Sequence, residues 1–431
     1  MINTGKTASL VIQIDSIAFG GRGVGKREDG KVIFAAGAIP GETILAEVSR
    51  EYKHYLLAET KEVLVPSPDR IRPVCSLFSQ CGGCDWQHIA YRRQVDFKQN
   101  ILIRQLMHKC SLDETLKEEP VLSPAEFGYR CHAILRCSSE EGFSMGFYQK
   151  ATNTIVPLEH CPVLNEKMNF VLASIQRIIR RKPIPGICSL ELHALEDALV
   201  RVMMRRKPAK KDLLSFQEIF QESGLGGLSC CNALESEHIW GADSLHYQYK
   251  IKDRQVTMAT GFGGFLQINA PVNELMVNYV IDLANGSKNI LDLYCGNGNL
   301  SIPLASGARK VLGVEKDPDL VRLGTINAGL NHVSNVAFLA MDSEKAVRFL
   351  SGKHEIFDTI VVDPPREGAR NVVGALVGLK PERIIYVSCD PSTLSRDLSI
   401  LAQSGFRLKS IRLFDMFPQT YHLESVSCLE R

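Results

Sequence analysis

Near the end of the sequence a cysteine stands close to an acidic Pro-Pro turn. "DPPREGA" runs from Asp363 to Ala369, "YVSCDPSTLSRD" from Tyr386 to Asp397, and "QTYHLESV" follows. Cys389 in the second stretch has three readings: buried spacer, metal ligand or nucleophile. Its position favours the nucleophile. It follows the apolar run "RIIYV", so its sulfur would stand at the ligand edge of a sheet, whereas a core cysteine would lie within the strand. Covalent chemistry there would also need a group that moves protons. The third stretch offers the carboxylate of Glu424 and, as its rival, the imidazole of His422.

A second cysteine group lies far upstream. Cys75, Cys81 and Cys84 are spaced C-x5-C-x2-C in "CSLFSQCGGCDWQH", and Cys161 follows in "EHCPVLN". Four thiolates suit a 4Fe-4S cluster or tetrahedral zinc, and the spacing alone does not separate the two. His88 and His160 keep a mixed zinc site open. The 13 cysteines in 431 residues are too few and too uneven for a secreted disulfide framework. No apolar run approaches the ~18 residues of a bilayer crossing, and the start has no long apolar core. The expectation is therefore a cytoplasmic protein with no membrane partner. A formal net charge of +2 means that a nucleic-acid partner must be held by local basic patches. Arg177, Arg180, Arg181 and Lys182 form one, and "RVMMRRKPAKK", Arg201 to Lys211, another; a solvated loop is the alternative reading of each.

The elements that must position these residues fall into three stretches. Residues 1–66 hold short β-rich runs separated by glycine-rich turns such as "FGGRGVGKREDG", the pattern of a small antiparallel barrel. Residues 67–265 begin with a proline-rich linker, carry the cysteine group, then show one helical period over "YRRQVDFKQNILIRQLMHKC" and a mixed α+β pattern. Residues 266–431 alternate strand-length apolar runs with helical segments, which predicts an α/β, Rossmann-like doubly wound sheet.

In that last stretch "NILDLYCGNGNLSIPLA" is a strand, a glycine turn at Gly296 and Gly298, and a helix. The pattern fits a dinucleotide or S-adenosylmethionine. The absence of a full G-x-G-x-x-G weighs against the dinucleotide. Glu315 ends the next strand, where it can accept ribose hydroxyls, and Asp342 ends the third, where it can face an adenine amino group. Tyr294 and Asn299 bracket the turn as cofactor contacts or as turn packing. Three acids at successive strand ends favour S-adenosylmethionine.

Taken in order, "FLQIN", "LDLYCGNGNLSIPLA", "GVEKD", "VVDPPREGA", "YVSCDPSTLSRD" and "FPQTYHLESV" resemble the RNA uracil-5-methyltransferase family. "GGRGVGKREDGKVIFAAGAIPGE" resembles the TRAM domain, an OB-like barrel. The likeness spans nearly the whole chain and is nearest the 23S ribosomal RNA branch. It implies that Cys389 adds to carbon 6 of uracil, that Glu424 removes the carbon 5 proton, and that Asp363 and Gln267 reach the base or the cofactor. It also implies a 4Fe-4S cluster on the four upstream cysteines. The expected partner is 23S rRNA, with a tRNA uridine as the alternative, and the expected state a monomer. From another class, a non-catalytic iron-sulfur RNA-binding protein is the competing reading. Exposed aromatics such as Phe262, Phe265 or Tyr148 are candidates for stacking on bases around a flipped uridine.

Overall fold

The computed structural model describes residues 9–110, 114–139, 142–232 and 238–431; residues 1–8 of the expected barrel segment lie outside them. Strands Ser9–Ile17, Gly23–Lys26, Val32–Ala36, Thr43–Glu51 and Tyr55–Val65 close into a barrel. Alternation of side chains puts Ile12, Ile14, Ile33, Ile44 and Leu56 inside it. The barrel leans on the rest of the molecule through one turn. The Trp86 indole donates to the Gly21 carbonyl at 3.4 Å, and the Phe19 ring meets Tyr421 edge-on at 5.5 Å.

A second, seven-stranded sheet runs in the order His238–Gly241, Gly227–Asn232, Ala198–Met204, Ile187–Ala194, His132–Ser138, Ser144–Tyr148, Ile155–Pro157. Helices Glu166–Arg181 and Lys210–Glu222 pack on it through a common apolar core that includes Val171, Ile175 and Phe216. The basic groups offered for RNA are largely paired within this domain. Arg180 meets Glu159 at 3.0 Å, Lys182 meets Glu218 at 2.5 Å, Arg206 meets Asp212 at 2.7 Å, and Arg181 also pairs with Glu218. Such pairing lowers the free positive charge this face presents to phosphates.

The third sheet also has seven strands: Val336–Ala340, Lys310–Glu315, Asn289–Leu293, Thr359–Val362, Arg383–Ser388, Glu424–Glu430 and Arg407–Phe414. The first five are parallel, and Glu424–Glu430 lies antiparallel between Arg383–Ser388 and Arg407–Phe414. Of these strands the central ones, Asn289–Leu293, Thr359–Val362 and Arg383–Ser388, are buried along almost their whole length and rich in Val, Ile and Leu. Their loops enter helices through short polar caps. Asp317 and Asp390 each precede a proline and accept from backbone amides of the first turn, Asp390 from Ser392 at 2.8 Å and Thr393 at 3.0 Å.

Packing does not follow the linear division at 66 and 265. Helix Tyr91–Cys110 lies against helix Pro391–Gln403 and shares an apolar core with Leu293, Ile384 and Leu398. The hairpin Ser244–Ile251 and Arg254–Gly261 packs with Val272, Ile290 and Val311 beside the third sheet. Both ends of the expected central segment therefore support the sheet that follows it.

Helix Tyr91–Cys110 also grips the loop before Glu424. Gln94 and Gln419 exchange two hydrogen bonds, Gln94 Nε2 donating to Gln419 Oε1 at 3.0 Å and the Gln419 amide to Gln94 Oε1 at 2.9 Å. Lys98 Nζ, wholly buried, donates to Asp415 Oδ1 at 2.6 Å and to the Phe417 carbonyl at 2.9 Å. Burial lowers the Lys98 pKa while Asp415 opposes the fall. Removing the lysine alone strands a buried carboxylate. Lys98→Met should destabilise the protein by about 3–5 kcal/mol, whereas Lys98→Met with Asp415→Leu should recover much of the loss. Urea midpoints of the three proteins check this, and equal losses in the single and double variants would contradict it.

Candidate active site

The strand ends of the third sheet bring Asp363, Cys389 and Glu424 to one edge. Val362 is in register with Tyr386, and Ser388 with Ser425, so the three residues follow or precede paired positions on adjacent strands. The Asp363 amide donates to the Leu293 carbonyl at 3.3 Å, which ties this acid to the strand leading into the glycine turn. Ser425 Oγ donates to the Ser388 carbonyl at 3.3 Å beside the nucleophile. Cys389 is half-buried, directly before the Asp390 cap of helix Pro391–Gln403.

The electrostatics of the three groups are coupled. Burial pushes the Asp363 carboxyl up to about 7. Burial, then the charge of Asp363, holds Glu424 well above the carboxylate range, with Arg366 opposing. Burial, then Glu424 and Asp363, pushes the Cys389 thiol up to about 12, against which Arg366 acts. Such a site keeps its protons near neutrality, and its carboxylates become strong bases once ionised. His422 is lowered to about 4 by burial, Arg366, Lys98 and Arg130. It stays neutral and is the weaker base. Arg366 acts on the thiol, whereas Arg396, in the helix that follows Cys389, is bound to Asp397 at 2.8 Å and to the Glu367 carbonyl at 2.9 Å.

The glycine turn stands beside this edge. Gly296 and Gly298 have φ of +55° and +92°, and a Cβ at Gly298 would lie 2.9 Å from Ile302 and 3.0 Å from Phe338. Glu315 Oε2 accepts from the Gly296 amide at 3.2 Å; Oε1 accepts from Lys316 at 2.8 Å and Asp317 at 3.0 Å. Of about four lone-pair sites on a carboxylate, Oε2 therefore keeps one for a ribose hydroxyl, short of the two expected. Tyr294, at φ +63°, and Asp342 meet at the start of helix Ser343–Gly352. The phenol is hydrogen-bonded to Ser343, and Asp342 caps the helix by accepting from the Lys345 amide at 3.2 Å.

Asn299 is drawn into packing. It exchanges two 3.0 Å bonds with Asn273, itself on the wall of a cleft of about 430 Å³ that Gln267, Tyr129, Tyr247 and Tyr249 also line. The Gln267 amide makes no hydrogen bond with Asp363, Cys389 or Glu424; its carbonyl accepts from Cys131 Sγ at 3.2 Å. One group went unnamed in the sequence reading. Asp292, wholly buried under the glycine turn, accepts from Ser301 Oγ at 2.5 Å, leaves Oδ1 without a partner, and is pushed up to about 7 by burial. An acid inside an apolar strand was the available signal.

The four upstream cysteines come together in space, each of Cys81, Cys84 and Cys161 lying within the electrostatic reach of others in the set and of Cys75. Yet among the described residues no three of these sulfurs lie within 4.8 Å of one another. The Gly83 amide points at Cys81 Sγ at 3.4 Å, and Gln87 bonds to Cys84. His160 is exposed, and His88 packs against Phe78 with neither ring nitrogen bonded. A further polar group, His132, Glu191 and His193, stacks its imidazoles 16° from parallel. Within it, His132 Nε2 is hydrogen-bonded to Glu191 Oε1 at 3.2 Å, His193 lies 3.4 Å from the same carboxylate, and Arg201 sits in register with Glu191.

Fold and edge together define an α/β methyltransferase. A tRNA (uracil-54, C5)-methyltransferase of Pyrococcus abyssi, solved with S-adenosyl-L-homocysteine, superposes with a TM-score of 0.74 at 24% identity, covering 98% of this chain and 100% of that one. The chain belongs to the RNA uracil-5-methyltransferase family: residues 90–431 match the family described as tRNA (Uracil-5-)-methyltransferase. It is 32% identical to the 23S rRNA (uracil(1939)-C(5))-methyltransferase RlmD of Hahella chejuensis, over 98% of this chain and 97% of that protein. The RlmD protein of Alkalilimnicola ehrlichii is 33% identical over 97% and 96%.

The raised Asp363 pKa has a consequence for stability. Its folded value of about 7 lies above the ~3.9 of an unfolded aspartate, so its contribution is full below about pH 4 and is lost as pH rises through 7. Asp363→Asn should therefore raise the melting temperature at pH 8 more than at pH 5. Thermal unfolding at the two pH values checks this; a gain confined to pH 5 would contradict it.

Proposed function

We propose that the protein methylates carbon 5 of a uridine in 23S ribosomal RNA, with Cys389 as nucleophile and Glu424 as base. The observation that carries this reading is the meeting of Cys389, Glu424 and Asp363 on adjacent strand ends. Carbon 5 of uracil is unreactive because its double bond is conjugated with a carbonyl. Addition of the Cys389 sulfur at carbon 6 makes carbon 5 electron-rich. The thiol gives up its proton to solvent as the sulfur adds, and Glu424, once ionised, takes the hydrogen from carbon 5. The carbon 5–carbon 6 double bond then re-forms and the sulfur leaves.

S-adenosylmethionine, when bound, supplies the methyl group. Gly296, Tyr294, Glu315 and Asp342 would hold it, Glu315 through its one free acceptor site; Asn299 and Gln267 would contribute through the cleft wall. The neighbour solved with S-adenosyl-L-homocysteine supports this cofactor. The RlmD relatives, similar over nearly their whole length, support ribosomal RNA as substrate. Cys75, Cys81, Cys84 and Cys161 would hold a 4Fe-4S cluster, as the resemblance implies, their thiols lying near enough to act on one another's charge. No electron is needed in the reaction, so the cluster serves the architecture between the barrel and the second sheet.

Two measurements test these assignments. A 23S rRNA fragment carrying 5-fluorouridine, incubated with protein and methyl donor, should give a covalent adduct on a denaturing gel that Cys389→Ala abolishes. With unmodified RNA, Glu424→Gln should lower turnover by roughly 10²–10⁴-fold while the adduct accumulates. Methylation by Cys389→Ala at the parent rate would refute the mechanism. For the cluster, anaerobically purified protein should carry iron and sulfide in equal amounts, both lost together in Cys84→Ser; zinc in their place would refute that assignment.

A further inference from the structure

The stretch after the nucleophile makes a set of contacts that the reaction itself does not require. Thr393 Oγ donates to the Arg366 carbonyl at 3.2 Å, and Arg396 donates to the Glu367 carbonyl at 2.9 Å. Asp397, wholly buried, receives the Ala369 amide at 2.7 Å and the Tyr386 hydroxyl at 2.7 Å on one oxygen, and Arg396 Nε at 2.8 Å on the other. Tyr386 belongs to the strand that leads to Cys389. One carboxylate thus joins the Asp363–Ala369 loop to the nucleophile's own strand.

The loop is shaped to fit. Gly368 has a φ of +74°, and a Cβ there would lie 2.5 Å from Arg396 Nη2, 2.7 Å from Asp397 Oδ2 and 3.0 Å from Thr393 Cβ. Only glycine lets the loop close onto this helix face. The loop in turn carries Arg366, whose charge falls on Cys389, Glu424 and His422 together. Facing Cys389 are two carboxyl groups, Glu424 and Asp363, and that one cation.

We propose that Arg396 and Asp397 are positioning residues: with Thr393 they clamp the Asp363–Ala369 loop so that the Arg366 guanidinium stays beside Cys389 and favours its thiolate. The clamp touches neither base nor methyl donor. It acts through Arg366, holding its carbonyl and that of the next residue, Glu367, while the Arg366 side chain remains at the exposed edge. This rests on the reading of Cys389 as the nucleophile, and it adds what sets that sulfur's ionisation before RNA arrives.

The test is the pH dependence of Cys389 alkylation by iodoacetamide, followed at its own peptide by mass spectrometry with no RNA present. Arg396→Gln, a partly exposed change, should cut the rate at pH 8 roughly tenfold, equivalent to an upward shift of one pH unit. Asp397→Asn should do the same, since its new amide faces Arg396. Arg366→Gln should match them, and Arg366→Gln combined with Arg396→Gln should fall no further, because both remove one effect. Methylation should lose kcat with KM for the methyl donor unchanged. Alkylation by Arg396→Gln at the parent rate, or losses that multiply in the double variant, would overturn the proposal. Should Cys389→Ala methylate normally, the nucleophile assignment fails, while the alkylation comparison still decides the clamp.

Discussion

Two carboxyl groups and a thiol share one poorly hydrated edge, and they cannot all be charged. This constraint orders the site. Burial raises the pKa of all three groups, and a single guanidinium, Arg366, opposes the rise at Cys389 and Glu424. Moving any strand end would alter the balance, so the surrounding contacts are rigid ones: backbone register, capped helix starts and buried hydrogen bonds.

The architecture supplies that rigidity from a distance. Glu424 lies at the start of a strand, and the loop before it is fastened by a helix more than three hundred residues earlier in sequence, through Gln94 and Lys98. The barrel touches the same loop through Phe19 and Tyr421. Parts that look like separate modules along the chain thus converge on a few residues around Glu424.

Much of this was legible in the residues. Apolar runs ending in Asp or Glu gave the parallel strands, and the barrel followed from short runs and glycine turns. The position of Cys389 just past "RIIYV" placed it at the sheet edge, where it stands. What escaped was pairing across distance. Helix Tyr91–Cys110 has ordinary helical spacing, and nothing local says that its polar residues Gln94 and Lys98 are buried against a loop near Glu424. The basic stretch from Arg177 to Lys182 read as free charge because its acidic partners, Glu159 and Glu218, lie on other elements. Nor does the glycine turn itself reveal that the Asn299 side chain is bonded to Asn273, which comes from a helix earlier in the chain.

Strand Glu424–Glu430 is inserted between two strands that are made before it, Arg383–Ser388 and Arg407–Phe414. During synthesis the ribosome therefore releases the cysteine first, into a half-built sheet with a gap where the glutamate will come. The reactive pair does not exist until that slot is filled.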